Sequence, residues 1–155
     1  MYSSATLKRH NGLLDRPSAP AEGMLGAIFK TDMTAPPATS TSFLVDLEDI
    51  GADLGFIGND VSRALVTVIT NPDSDTDAFA KVGKVGIGDI DVTPDGNYLF
   101  YTNLFNQKLG RVRMDDDNNP ATPYTPVSGD LVEFSLPAVV CSGTGTLRPW
   151  AFKVY

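Results

Sequence analysis

Pro94-Asp95-Gly96-Asn97 divides two segments whose apolar residues alternate with polar ones, and this constrains the fold more than any other stretch of the chain. Before it, Ile90 and Val92 alternate with Asp89, Asp91 and Thr93, the period of a strand with one buried face. Proline presets one turn dihedral and glycine accepts positive φ, so the four residues reverse the chain tightly. Tyr98–Asn103 then returns as an antiparallel strand, Asn103–Gln107 turns again, and Lys108–Met114 makes a third strand. Leu131–Leu136 is the expected fourth, after a proline-rich loop. The expected unit is a four-stranded antiparallel meander over 87–93, 98–103, 108–114 and 131–136.

Composition extends this reading to the whole chain. Only three of the 19 acidic residues are Glu, and 14 Gly and 11 Pro accompany the Asp-rich remainder. Asp, Gly and Pro favour turns, and scarce Glu and Lys leave few good formers for exposed helix faces. The expected fold class is all-β. Further strands are expected at Gly26–Asp32, Ser42–Leu47, Arg63–Thr70 and Trp150–Tyr155, with helical turns only near 46–53 and 76–82. The net charge of −7 argues against a nucleic-acid partner, which needs a basic face. Eight Phe, five Tyr and one Trp supply too much burial material for a disordered acidic tail. No stretch reaches the roughly 18 apolar residues of a membrane helix.

The chain also echoes itself. Leu25–Asp32 aligns with Leu109–Asp116 at an offset of 84, and each copy leads through a Pro/Thr-rich loop to an apolar strand, FLVDL or LVEFSL. The same strand–loop–strand hairpin is therefore expected twice, with an insertion at about 48–86 between the copies.

The segment GDIDVTPDGNYLFYTNLFNQKLGRV resembles a blade of the bacterial β-propellers of the lactonase, NHL and YVTN type, and CSGTGTLRPWAFKVY resembles the opening of a following blade. The longer stretch is similar to secreted propellers found with cell-surface or SdrD-B-like domains. Residues 83–155 carry the likeness well, 24–47 loosely, and the first 20 not at all. It implies β-propeller-type four-stranded antiparallel blades: an irregular segment over 1–23, then a partial propeller over 24–155. Complete propellers hold roughly 4–8 blades of about 40–45 residues, so about two blades and the insertion fit here. Both ends are accordingly expected to be cuts in a longer protein that supplies the remaining blades.

Two functions follow from the resemblance. The favoured one is a non-catalytic extracellular or cell-surface module that binds a protein or glycan through its loops. The alternative is a fragment of a metal-dependent propeller hydrolase of the lactonase or gluconolactonase type. Asp89, Asp91 and Asn103, at strand ends, and Arg148 with Trp150, a cation beside an aromatic face, are the candidate ligand-facing residues. For Asp89 and Asp91, strand-edge solvation or bonding to the adjacent blade's backbone is the plainer account, and for Arg148 with Trp150 it is blade-to-blade packing. His10, the one histidine, supports neither a Ser–His–Asp triad nor a histidine metal site. Cys141, the one cysteine, is either a buried thiol or a disulfide partner for a cysteine elsewhere.

Asp73, Asp75 and Asp77 form a D-x-D-x-D run that could set three carboxylates around Ca²⁺. Ala78 stands where a calcium loop needs its turn glycine, and Lys84 where it needs a bidentate Glu, so a solvated turn is the simpler reading. Asp115–Asn119 reads as a hydrated loop, because adjacent carboxylates repel and cannot all face one ion. Adding Ca²⁺ is expected to leave the melting temperature unchanged. A rise abolished by changing Asp73, Asp75 and Asp77 to Asn would establish a calcium site there.

Overall fold

The computed structural model describes residues 1–4, 15–16, 19–23, 25–32, 40–57, 76–115, 124–137 and 143–155. The strands in chain order are β1 (Tyr2–Ser4), β2 (Asp15–Arg16), β3 (Ala19–Gly23), β4 (Ala27–Asp32), β5 (Ser40–Asp46), β6 (Ile87–Val92), β7 (Tyr98–Asn103), β8 (Lys108–Arg113) and β9 (Leu131–Ser135). A one-turn helix α1 (Thr76–Phe79) and a 3-10 turn at Ser128–Asp130 are the remaining regular elements. The fold is all-β and antiparallel: a three-stranded sheet β1-β4-β5, a hairpin β2-β3, and a four-stranded sheet β6-β7-β8-β9. No helix among the described residues is long and apolar enough to cross a membrane.

The four-stranded sheet is the expected meander. Its first turn works as the sequence implies, with Gly96 at φ +79°. The Asp95 carboxylate accepts the Thr93 hydroxyl and the Asn97 amide, the latter at 3.0 Å, and these bonds hold its carboxyl below the usual range. Register lines up Val92, Leu99, Val112 and Leu131 in one row, and Ile90, Tyr101, Gly110 and Glu133 in the next. That face packs into a single core with Ile28 and Val45 of the first sheet, Leu47, Ile50, Leu54 and Ile57 of the loop after it, and Ala78 and Val85. The loop therefore contributes core residues. The opposite face carries Phe100, Arg111, Val132 and Phe134, and Val132 and Phe134 are 37% and 42% exposed. The Arg111 guanidinium stands 4.7 Å from the Tyr98 ring centre and 5.8 Å from that of Phe134.

Both copies of the echo fold as antiparallel neighbours, β4–β5 and β8–β9. Gly26 and Gly110, equivalent at the offset of 84, both mark close approaches. A Cβ on Gly26 would lie 2.4 Å from Asp46 Oδ1, and one on Gly110 2.0 Å from Tyr101 Cε1.

Two expectations need revision. Residues 2–4, 15–16 and 19–23, read from sequence as irregular, form β1, β2 and β3, with β1 joining the first sheet through Ser3 opposite Phe29. The pairing lies 26 residues along the chain, so no local signal announces it. The expected strand over Trp150–Tyr155 takes no ladder partner among the described residues, and side chains hold it instead. Arg63–Thr70, His10 and Cys141 lie outside the described residues.

Gly110→Ala drives a methyl into the Tyr101 ring and is expected to lower stability by about 3 kcal/mol. Gly129 has no positive φ, and a Cβ there would meet no atom within 4 Å, so it should accept alanine within about 0.5 kcal/mol. Urea denaturation of the two variants checks the contrast.

Candidate functional site

The loop after β5 and the turn between β7 and β8 meet in a shallow cleft of about 370 Å³, lined by Glu48, Ala52, Asp53, Gly55, Phe56 and Phe105. Gly55 has φ +86°, and a Cβ there would lie 2.9 Å from the Phe105 ring, so glycine lets that ring rest on the backbone. Phe105 stays 42% exposed and Phe56 56% exposed. The Lys81 ammonium stands 5.7 Å from the centre of the Phe56 ring, within cation–π range. Two accessible aromatic rings with two carboxylates beside them form a surface suited to a ligand that has an apolar face and hydrogen-bond donors.

Asn103 holds this cleft in shape from behind. Its Nδ2 donates to the Asp53 carbonyl at 2.9 Å and to Glu133 Oε1 at 2.7 Å. Its Oδ1 accepts the amides of Phe105 and Asn106, both at 3.0 Å. Asn106 Nδ2 adds a second bond to the Asp53 carbonyl at 3.0 Å. Asn103 is fully buried, so it positions the cleft loops and does not face a ligand. Glu133 also accepts the Tyr101 hydroxyl at 3.0 Å and the Lys108 ammonium at 3.1 Å. Burial, then the Glu133 charge, raise the Tyr101 phenol well above its ordinary range.

Asp89 and Asp91 act together on the terminal segment. Asp89 accepts the Ile90 amide at 2.9 Å through Oδ1 and the Phe152 amide at 3.2 Å through Oδ2. Asp91 repeats the arrangement two residues later, with the Val92 and Val154 amides both at 2.9 Å, and adds the Lys153 ammonium at 2.9 Å. Strand side chains repeat every two residues, so an Asp-x-Asp pair matches alternate amides of an extended segment. Residue numbers rise together on both sides, so 150–155 runs parallel to β6. The Val154 amide, then the Lys153 ammonium, bring the Asp91 carboxyl down to about 2.

Arg148 and Trp150 anchor the approach to that segment. Arg148 Nη1 donates to the carbonyls of Lys84 at 3.2 Å and Phe105 at 3.3 Å, and to that of Leu104. It ties these loops together through its guanidinium. Trp150 is 54% exposed, and its ring passes over Gly83, where a Cβ would lie 3.4 Å away. Its carbonyl would lie 2.9 Å from a Cβ on Gly88. The close glycines of GKVGIG thus admit a neighbouring chain. Asp73 and Asp75 lie outside the described residues, as does the side chain of Asp77. Among the described residues no three His, Cys, Asp or Glu side chains gather at a metal-sized site.

A second ionic cluster is structural. Asp130 accepts Arg113 Nε at 2.9 Å, the Val127 amide at 2.9 Å and the Tyr124 hydroxyl. Burial pushes its carboxyl up, but these bonds outweigh that and leave it below the usual range. Sequence reasoning does not find Phe56, Phe105, Glu48 and Asp53 as a group. The available signal is two Phe next to turn residues, in loops that only the fold brings together.

The Asp91 bonds make docking of the terminal segment sensitive to acid. A carboxyl whose folded pKa is depressed stabilises the structure above its unfolded pKa, near 3.9, and loses that contribution as pH falls through the folded value. The contribution should therefore disappear between about pH 4 and about pH 2, the upper bound from the unfolded carboxyl and the lower from the folded one. Trp150 is the only tryptophan, so its fluorescence anisotropy reports the segment directly. Anisotropy is expected to fall across that window, and Asp91→Ala should lower it already at pH 7.

No family model matches the chain, and neither a curated protein nor a solved structure is significantly similar to it.

Proposed function

We propose that this chain is a non-catalytic β-propeller module, extracellular or on a cell surface, that binds a protein or glycan ligand through loops at one edge of its sheets. The observation that carries the proposal is the parallel run of 150–155 beside β6. In a propeller the first strands of successive blades run side by side in one direction around the axis, and a segment after β9 that lies parallel to β6 supports that arrangement. The packing of the two antiparallel sheets onto one shared core supports the same reading.

A binding role is favoured over hydrolysis by where the polar side chains go. Asp89, Asp91 and Asn103, the residues most suited to hold a catalytic cation, are bonded to backbone amides and carbonyls of the chain itself. The cleft of Phe56 and Phe105 instead offers two exposed rings, beside which Asp53 Oδ1 accepts the Gly55 amide at 3.2 Å. Such a surface gains affinity from apolar contact and direction from hydrogen bonds.

Glycan and peptide arrays probed with the labelled chain test the proposal. Specific binding is expected, and Phe56→Ala and Phe105→Ala should each weaken it about tenfold, the loss of roughly 1.4 kcal/mol of contact. Turnover of lactone substrates that requires a divalent cation would overturn the proposal in favour of the hydrolase.

A further inference from the structure

The two sheets differ by one strand. β1, β4 and β5 follow one another in the antiparallel order of β7, β8 and β9, so among the described residues the first sheet has no counterpart of β6. The strand that would supply it belongs along the outer edge of β1. The opposite situation exists at the other end of the molecule. Residues 150–155 are extended and lie beside β6, yet among the described residues no backbone–backbone bond reaches them.

The direction of their amides is informative. Successive N–H groups of an extended chain point to opposite sides. The Phe152 and Val154 amides point at Asp89 and Asp91, so the Ala151 and Lys153 amides point away from β6. One edge of the segment is occupied by carboxylates, and the other presents donors and acceptors to a further strand. An open edge of this kind is a template for strand addition.

The sheet faces complement one another in the same sense. The face of the first sheet turned away from the core carries Phe29 and Phe43, whose rings meet edge to face at 6.0 Å, and Phe43 is 46% exposed. The face of the second sheet turned away from the core carries the exposed Val132 and Phe134. Stacking the first sheet of one molecule on the second sheet of another covers both apolar faces. The same placement brings the outward edge of 150–155 to the edge of β1 that has no ladder partner among the described residues.

The geometry points to a second copy of this chain as the partner, joined head to tail: 150–155 of one copy adds antiparallel to β1 of the next, and Phe29 and Phe43 of that copy cover Val132 and Phe134 of the first. The contact joins two different surfaces, so repetition produces rings or open filaments and not a two-fold dimer. The inference rests on sheet edges and faces and is independent of the cleft and its ligand, so either can fail alone.

Cross-linking and sedimentation of the 155-residue chain test it. In a Cys141→Ser background, Ser3→Cys and Ala151→Cys are placed in separate chains and mixed. The expected result is a covalent pair under oxidising conditions, several times more abundant than in either chain alone. Sedimentation velocity of the unmodified chain is expected to show species heavier than the monomer that grow with concentration. Ala151→Pro removes an outward amide and leaves the Phe152 and Val154 amides in place, and Phe134→Glu charges the covered face. Each variant should lose the heavier species. A chain that stays monomeric, association that survives either variant, or mixed cysteine chains that pair no better than each alone would overturn the inference.

Discussion

The contact between Tyr101 and Gly110 is the one on which the rest of the molecule depends. Glycine on β8 leaves a gap on the core face, and the Tyr101 ring from β7 fills it completely. The hydroxyl then reaches the last strand of the row, at Glu133 on β9. A large ring buries apolar area across three strands, while its polar end avoids the cost of an unmet hydrogen bond. Glu133, fixed in this way, is available to Asn103 and Lys108. Asn103 in turn bonds the carbonyl of Asp53 and the turn amides of Phe105 and Asn106. The position of the exposed aromatic cleft is therefore set from the interior of the second sheet, through a chain of bonds that begins at a missing Cβ.

Carboxylates take the place of a backbone ladder at the other edge of that sheet. Asp89 and Asp91 each accept one amide of their own strand and one of the terminal segment, so donor groups on both sides share a single charged acceptor. Such bonds are stronger than neutral ones and depend on ionisation, which a ladder does not. Lys153 offsets part of the negative charge through its bond to Asp91. The segment is held in register along one edge, and among the described residues no backbone–backbone bond reaches the other. Residues 150–155 are thus fixed beside β6 without a ladder among the described residues.

The meander β6–β9 is legible in the sequence because its information is local: alternation specifies faces, and Pro94 to Asn97 specify the reversal within a few residues. The repeated hairpin is legible for the same reason, through two similar stretches and their proline-rich loops. β1 is not, since Tyr2–Ser4 has no pattern long enough to read and becomes a strand only against β4. Sequence alone makes Asn103 a ligand-facing candidate, because its partners, Asp53 and Glu133, lie 50 and 30 residues away. Asp89 and Asp91 are readable as a pair on one face, with bonding to adjacent backbone as their plainer use. Only the fold identifies which backbone.

The amino-acid sequence by itself determined the all-β class, the four consecutive strands and their turns, and the pairing of acidic residues along β6. Each of these follows from period-two side-chain alternation and from dihedral preferences that act within a few residues. The tertiary structure decided that the loop after β5 joins the core, that Phe56 and Phe105 meet at one cleft, and that Arg148 faces inward to loop carbonyls. It also decided that 150–155 lies along carboxylates and not along a ladder. These outcomes depend on which apolar faces stack and which buried polar groups find partners, and those choices are made between residues far apart in the chain.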